Sequence, residues 1–258
     1  MPVEAGEPLT GAWGQDGSIT LSDGRHLVPE GIALPTPLSA EPAALRAAEA
    51  AAGAVLDGRF IIPSATRPDR HGRLAAIAAL ITPATGSPEP EDLATALLRA
   101  GSGTARPVAG DGPCRAARLA AEAQAQRETQ GIWSHPGIRP SASDEAALAI
   151  RAGLFTVTEG RVRDVGVTRD RVFLNFGARW RQDFTVMIAT EDFATILGDS
   201  LEPAMLRGTL IRVRGVVHED GGPAITVRRQ GEITLLAPAT SARTAAGEAA
   251  SWNMDRPR

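Results

Sequence analysis

Residues 24–36 read Gly-Arg-His-Leu-Val-Pro-Glu-Gly-Ile-Ala-Leu-Pro-Thr, and the five residues before the turn that introduces them read Ser18-Ile-Thr-Leu-Ser22. Asp23-Gly24 between two apolar runs is a strong hairpin signal, because glycine supplies the positive φ of a tight turn. The reading is therefore two paired strands, with Pro29 demoting the second to an edge or a bulge, since proline brings no N–H to a ladder.

Outward from this hairpin the periodicity alternates between helix and strand. Glu41-Pro-Ala-Ala-Leu-Arg-Ala-Ala-Glu-Ala-Ala-Ala52 predicts an Ala-rich helix with proline early and Gly53 as its stop. Val55–Ile62 and Leu74–Ile81 predict two buried strands. A helix over Pro90–Arg99 starts on Glu91 and Asp92 and ends before Gly101, and another covers Arg115–Thr129. Residues 135–143, rich in Pro, Ser and Gly, read as a linker, and Ser143 as the N-cap of a short helix through Arg151. Strand-like runs then follow at Phe155–Val165, Arg171–Phe176, Phe184–Ala189, Thr209–Val217, and Ala224–Val227 with Ile233–Leu236. A short helix at Glu191–Leu197 and a turn at Pro203–Leu206 fall between the third and fourth. That order is the order of a small OB-type barrel. The expected class is mainly β with helices, α+β, as two tandem OB-fold barrels. The expected units are 1–134, a linker with a short helix at 135–150, a second barrel at 151–238, and a disordered tail at 239–258 whose Trp252 is its one apolar anchor.

Composition bounds the function. The chain has 258 residues, a net charge of −3 and 43% hydrophobic residues. Its 27 basic residues are all arginine, and it has no tyrosine. Such a balance argues against a protein that coats polyanions generically, while leaving room for a local basic groove. Residues 1–134 carry 11 Arg against 15 acids and residues 151–236 carry 12 against 11, so charge favours the second half for any nucleic-acid contact. Cys114 is the sole cysteine, which rules out an intramolecular disulfide and a Cys-based zinc site. The four histidines are scattered without metal-ligand spacing, and neither a P-loop nor a dinucleotide-binding glycine motif occurs. Met1–Trp13 lacks a basic n-region and an apolar h-region, and no stretch reaches the roughly 18–20 apolar residues of a membrane span. The compartment stays open: cytoplasmic on that basis, periplasmic if a leader precedes the start shown.

Five motifs in order carry a resemblance. Asp16-Gly17-Ser18-Ile19-Thr20-Leu21 resembles D-G-D-T-[IV]-x-L, and Leu27–Thr36 resembles V-R-L-x-G-I-D-[AT]-P-E. Asp69–Arg73 is similar to D-x-Y-G-R with His71 in the aromatic slot. Ala96–Gly101 resembles A-L-[VL]-R-x-G, and Ala121-Glu122-Ala123-Gln124-Ala125 through Trp133 the closing E-A-x-A…G-[IL]-W helix. Together they resemble the thermonuclease, or staphylococcal-nuclease-like, family. This resemblance implies an OB barrel with added helices and calcium-dependent cleavage of phosphodiesters. The family's two calcium-binding aspartates fall on Ser18 and Ala33, its water-orienting glutamate on Thr36, and its first phosphate-clamping arginine on Val28. Only the second clamp survives, as Arg73. Hard cations need several carboxylate or carbonyl oxygens, and losing one preorganised charge-stabilising group can cost on the order of 10²–10³ in rate.

The resemblance thus implies a thermonuclease-family protein with a degenerate site, acting as a weak or inactive nuclease and as a nucleic-acid or protein binding module. An active nuclease with a site relocated onto Arg25, Glu30 or Glu41 is the alternative, and a protein-interaction scaffold a further one. Arg73 admits a second reading, a surface ion pair with Asp69. Residues 151–238 resemble the accessory OB-like domain that follows some bacterial thermonuclease-like modules. OB barrels hold single strands by stacking bases on aromatics in a basic groove. On that basis the candidates are Trp180 with Arg179, Arg181, Arg163 and Arg214, joined by Arg161, Arg212, Phe173, Phe176 and Phe184. Strand alternation places Phe173 and Phe184 in the core instead, and Trp180 can equally fold back on the barrel.

Overall fold

The computed structural model describes residues 7–14, 17–63, 68–76, 78–81, 90–179 and 182–237; of residues 75, 76 and 78–81 only the backbone is described. Trp180, Arg181, Trp252 and the tail at 239–258 lie outside the described residues, as does Asp16.

The hairpin forms as expected. β1 (Gly11–Trp13), β2 (Ile19–Leu21) and β3 (His26–Pro29) are successive antiparallel neighbours, with Ile19 opposite Leu27 and the turn closed by Gly24 N donating to Leu21 O. Pro29 does not make β3 an edge. The strand lies between β2 and β6 (Leu74–Ala76), to which it pairs in parallel, and proline occupies its last position, where a missing N–H interrupts little. β4 (Ile32–Ala33) follows directly and pairs with β9 (Thr104–Ala105).

α1 (Pro42–Leu56) runs past Gly53, contrary to the expected stop. Its buried residues Ala44, Ala48, Ala52 and Val55 form one stripe at helical spacing, and a Cβ on Gly53 would meet nothing. Burial of Val55 and Leu56 thus outweighs the roughly 1 kcal/mol that an interior glycine costs. The strand expected from Val55 accordingly starts later, as β5 (Phe60–Pro63), and pairs with β7 (Ala78–Ile81), which pairs in turn with β8 (Glu91–Asp92). Asp92 caps α2 (Leu93–Arg99), accepting hydrogen bonds from the Thr95 N–H and hydroxyl. Residues Leu93 to Leu98 of this short helix are all buried. α3 (Gly112–Arg127) then lays Ala121 and Ala125 on the same core.

The expected linker is pinned. Ile138 and Ala142 are buried, Ala142 N donates to Glu159 O, and the Thr158 hydroxyl donates to Pro140 O at 2.8 Å. α4 (Glu145–Ala149) takes its cap from Asp144 rather than Ser143, because the Asp144 carboxylate reaches the Ala147 N–H at 3.0 Å while Ser143 is engaged with Ser141.

The second half has β10 (Phe155–Arg161), β11 (Asp164–Val167), β12 (Arg171–Asn175), β13 (Thr185–Ala189), the helix α5 (Phe193–Leu197), β14 (Leu210–Glu219), β15 (Pro223–Val227) and β16 (Ile233–Ala237). The strands are ordered β10-β14-β15-β13-β12-β11, with β16 also on β14, and only β13–β15 is parallel. The single strand expected from 155 to 165 breaks at Val162, which turns inward and is buried. The fold is α+β. Among the described residues the sheets are open paths, and none closes into a barrel.

Each half has its own apolar core, one around Ile19, Leu27, Leu97 and Leu98, the other around Val172, Phe184, Ile211 and Ile225. Phe176 and Phe184 meet with ring centroids 5.3 Å apart. Phe184 is thus core, as strand alternation predicts, while Phe173 is half-buried.

Candidate functional site

Four of the five positions that the resemblance singles out, all but Ser18, line one cleft. This cleft, of about 330 Å³, is lined by Val28, Ala33, Leu34, Thr36 and Arg73 with Arg106, and its opposite wall is Gly153, Leu154 and Phe155 from the start of the second half. The hairpin brings Val28, β4 brings Ala33, and the turn after Asp69 brings Arg73. The Arg106 guanidinium lies over the Phe155 ring, 5.6 Å from its centroid, a cation–π contact that ties the two walls together.

Arg73 makes the expected ion pair with Asp69. Its Nε and Nη2 each lie 3.0 Å from Asp69 Oδ2, and its side chain stays 38% exposed at the cleft. Asp69 Oδ1 accepts from the backbone N–H groups of Arg73 and His71 at 2.9 and 2.8 Å. Those backbone hydrogen bonds, with the Arg73 guanidinium, hold the Asp69 carboxyl down at about 2.

The chemistry of calcium binding does not fit the residues here. Ser18 is buried, Ala33 offers only a methyl, and the Thr36 hydroxyl donates to Ser39 Oγ within its own turn. No group of three or more His, Cys, Asp or Glu able to hold a metal occurs among the described residues. The candidates for a relocated site are not in the cleft lining either. Arg25 is paired to Asp23 at 2.7 Å, and Glu41 lines a different cavity.

Behind the cleft lies a second arginine site that the sequence reading missed. Arg118 of α3 is 2% exposed and grips Asp92 through Nε and Nη2 at 2.9 and 2.8 Å. Burial pushes the Asp92 carboxyl up, but the hydrogen bonds from Arg118 and Thr95 outweigh it and leave it below its ordinary value. Gly31 has a φ of +88°, and a Cβ there would fall 2.1 Å from Arg118 Nη1. The glycine that follows β3 therefore serves both backbone and neighbour.

Arg214 is not a nucleic-acid contact. It is 1% exposed and donates through Nη1 to Glu122 of α3 at 2.7 Å and to Ala105 O at 3.1 Å. Glu122, fully buried, also accepts from Ala105 N at 2.9 Å. Arg212 continues the network, 2.6 Å from Glu159, which Arg139 also reaches at 2.8 Å. The basic face of β14 expected to meet phosphates is instead covered by the first half of the chain. Strand alternation could not reveal this, because the partner lies 92 residues away.

Of the remaining candidates, Arg163 and Arg179 are exposed. Arg161 is exposed and donates to Gly208 O at 2.6 Å. The two positions expected to matter most in the second half, Trp180 and Arg181, fall outside the described residues.

No protein-family model matches the chain, and no curated protein matches it.

Proposed function

We propose that this chain is a thermonuclease-like protein that no longer hydrolyses phosphodiesters and binds single-stranded nucleic acid in the cleft between its two halves. The reading takes both strand sets as incompletely closed OB barrels. The observation that carries it is the charge of the cleft. Arg73 and Arg106 are in its lining and no carboxylate is. In a working member, carboxylates there would hold a cation; without them, Arg106 and the exposed face of Arg73, itself paired to Asp69, remain to attract phosphate. A volume of about 330 Å³ lies at the low end of small-ligand sites, roughly 300–1,000 Å³.

The test is fluorescence anisotropy of labelled single-stranded DNA and RNA, with and without calcium, at two salt concentrations, with product gels alongside. Binding should weaken with salt, ignore calcium and leave the strand intact. Calcium-stimulated cleavage would sink the loss of hydrolysis. Absence of salt-dependent affinity would sink the nucleic-acid reading and favour a protein partner.

A further inference from the structure

Arg118 is buried and Arg151 half-buried, and they differ in their partners. Arg118 has Asp92. Arg151, just after α4, has no carboxylate partner among the described residues: the one hydrogen bond its side chain makes there is from Nη2 to Gly137 O, at 2.6 Å. Burial alone pushes its guanidinium below the usual arginine value, with nothing acting in the other direction. Holding a cation in a half-buried place without a counter-ion is costly. Its four other N–H groups are left for an acceptor that arrives from outside.

The surroundings show where that acceptor comes from. Arg151 lines a narrow neck of about 30 Å³ that shares Ala33, Leu34, Ser39 and Phe155 with the cleft described above. It also lines a wider cavity of about 380 Å³ beyond, which shares Ser39 and Ile138 with the neck. The three form a single seam along the junction of the two halves. Three arginines, 73, 106 and 151, lie in their linings against one carboxylate, the exposed Glu41. The far cavity has an apolar residue in its lining that faces solvent: Leu38 is 80% exposed. The neck has room for about one water, so a ligand passes over it.

Resting on the reading of the cleft as a nucleic-acid site, we infer that Arg151 is a second phosphate subsite. One single strand then runs along the seam from Arg73 and Arg106 to Arg151, and a base lies on Leu38. A single strand suits this surface because its unpaired bases can lie against apolar side chains while its phosphates meet arginines.

Length dependence tests it. The full-length chain is titrated with labelled oligothymidylates of roughly three and roughly twelve nucleotides, within the range of single-strand site sizes. Arg151→Gln should weaken the long strand by roughly three- to tenfold and reduce its salt slope by about 0.7, leaving the short strand unchanged. Arg151→Lys should recover part of the loss. Leu38→Ser alters only an exposed side chain and should also weaken the long strand selectively, whereas Arg106→Ala should weaken both lengths. Thermal melting of each variant separates lost folding from lost binding. If Arg151→Gln affects both lengths equally, or neither, while Arg106→Ala still weakens both, the second subsite is wrong and the cleft reading stands. If wild type binds neither length, both fall together.

Discussion

Glu122 and Arg214 form a 2.7 Å ion pair in which both side chains are about 1% exposed or less, one on α3 of the first half and the other on β14 of the second. Buried pairs of this kind add little net stability relative to a well-packed apolar pair, yet breaking one strands a charge in low dielectric. Both groups also hold Ala105, whose strand pairs with β4 and thereby with Ala33 at the cleft. The pair therefore sets how the second half sits against the cleft.

Arg214→Met alone and Glu122→Leu alone should each lower unfolding free energy by about 3–5 kcal/mol. The double variant should regain about half of that or more, since no unpaired charge remains. Urea denaturation of the four proteins in a double-mutant cycle measures this. Two separate transitions in the wild type would contradict the coupling of the halves.

Gly31→Ala should destabilise by about 2 kcal/mol or more. It forces a positive φ on alanine and drives a methyl into Arg118, loosening the grip on Asp92. Gly24 shares the positive φ but faces open space, so Gly24→Ala should cost only about 1 kcal/mol. Equal losses at the two sites would show that Arg118 yields freely.

Asp69 predicts a local acid transition. Its carboxyl is held at about 2 in the folded chain, against about 3.9 for an unperturbed aspartate. A depressed value means that the stabilisation is complete above pH ~4 and is lost as pH falls through ~2. Amide exchange of His71 and Arg73 should therefore accelerate between those limits, and Asp69→Asn should remove the transition. An NMR titration midpoint near 4 for Asp69 would contradict the observed hydrogen bonding.

Arg106→Ala removes both a cleft cation and its contact with Phe155. Affinity for single strands should fall roughly three- to tenfold and the salt slope by about 0.7. Arg214→Lys, buried against Glu122 and outside the seam, should leave the salt slope unchanged, because its charge never meets phosphate. Anisotropy at several salt concentrations distinguishes the two.

Much of the architecture was legible along the chain. Asp23-Gly24 placed the hairpin turn, helical periodicity placed α1 and α3, and the strand spacing of the second half was right except for the break at Val162. Errors came where burial overrode local propensity. Gly53 stayed helical because Val55 and Leu56 reach the core two and three positions later. Pro29 sits in an inner strand because β6 arrives from more than forty residues away.

The candidate site divides along the same line. The sequence alone determined which side chains are present, and so that Ser18, Ala33 and Thr36 cannot supply the carboxylates a calcium site needs. It also singled out Arg73 as the one cation that matches the resemblance. Only the tertiary structure decided which arginines are available. Arg214 looked like a phosphate ligand and is sealed against Glu122, whereas Arg106 and Arg151, unremarked in the chain, line the seam. Local spacing governs the direction a side chain takes from its own strand or helix. Whether its charge is neutralised depends on what packs opposite, and here that partner comes from the other half of the chain.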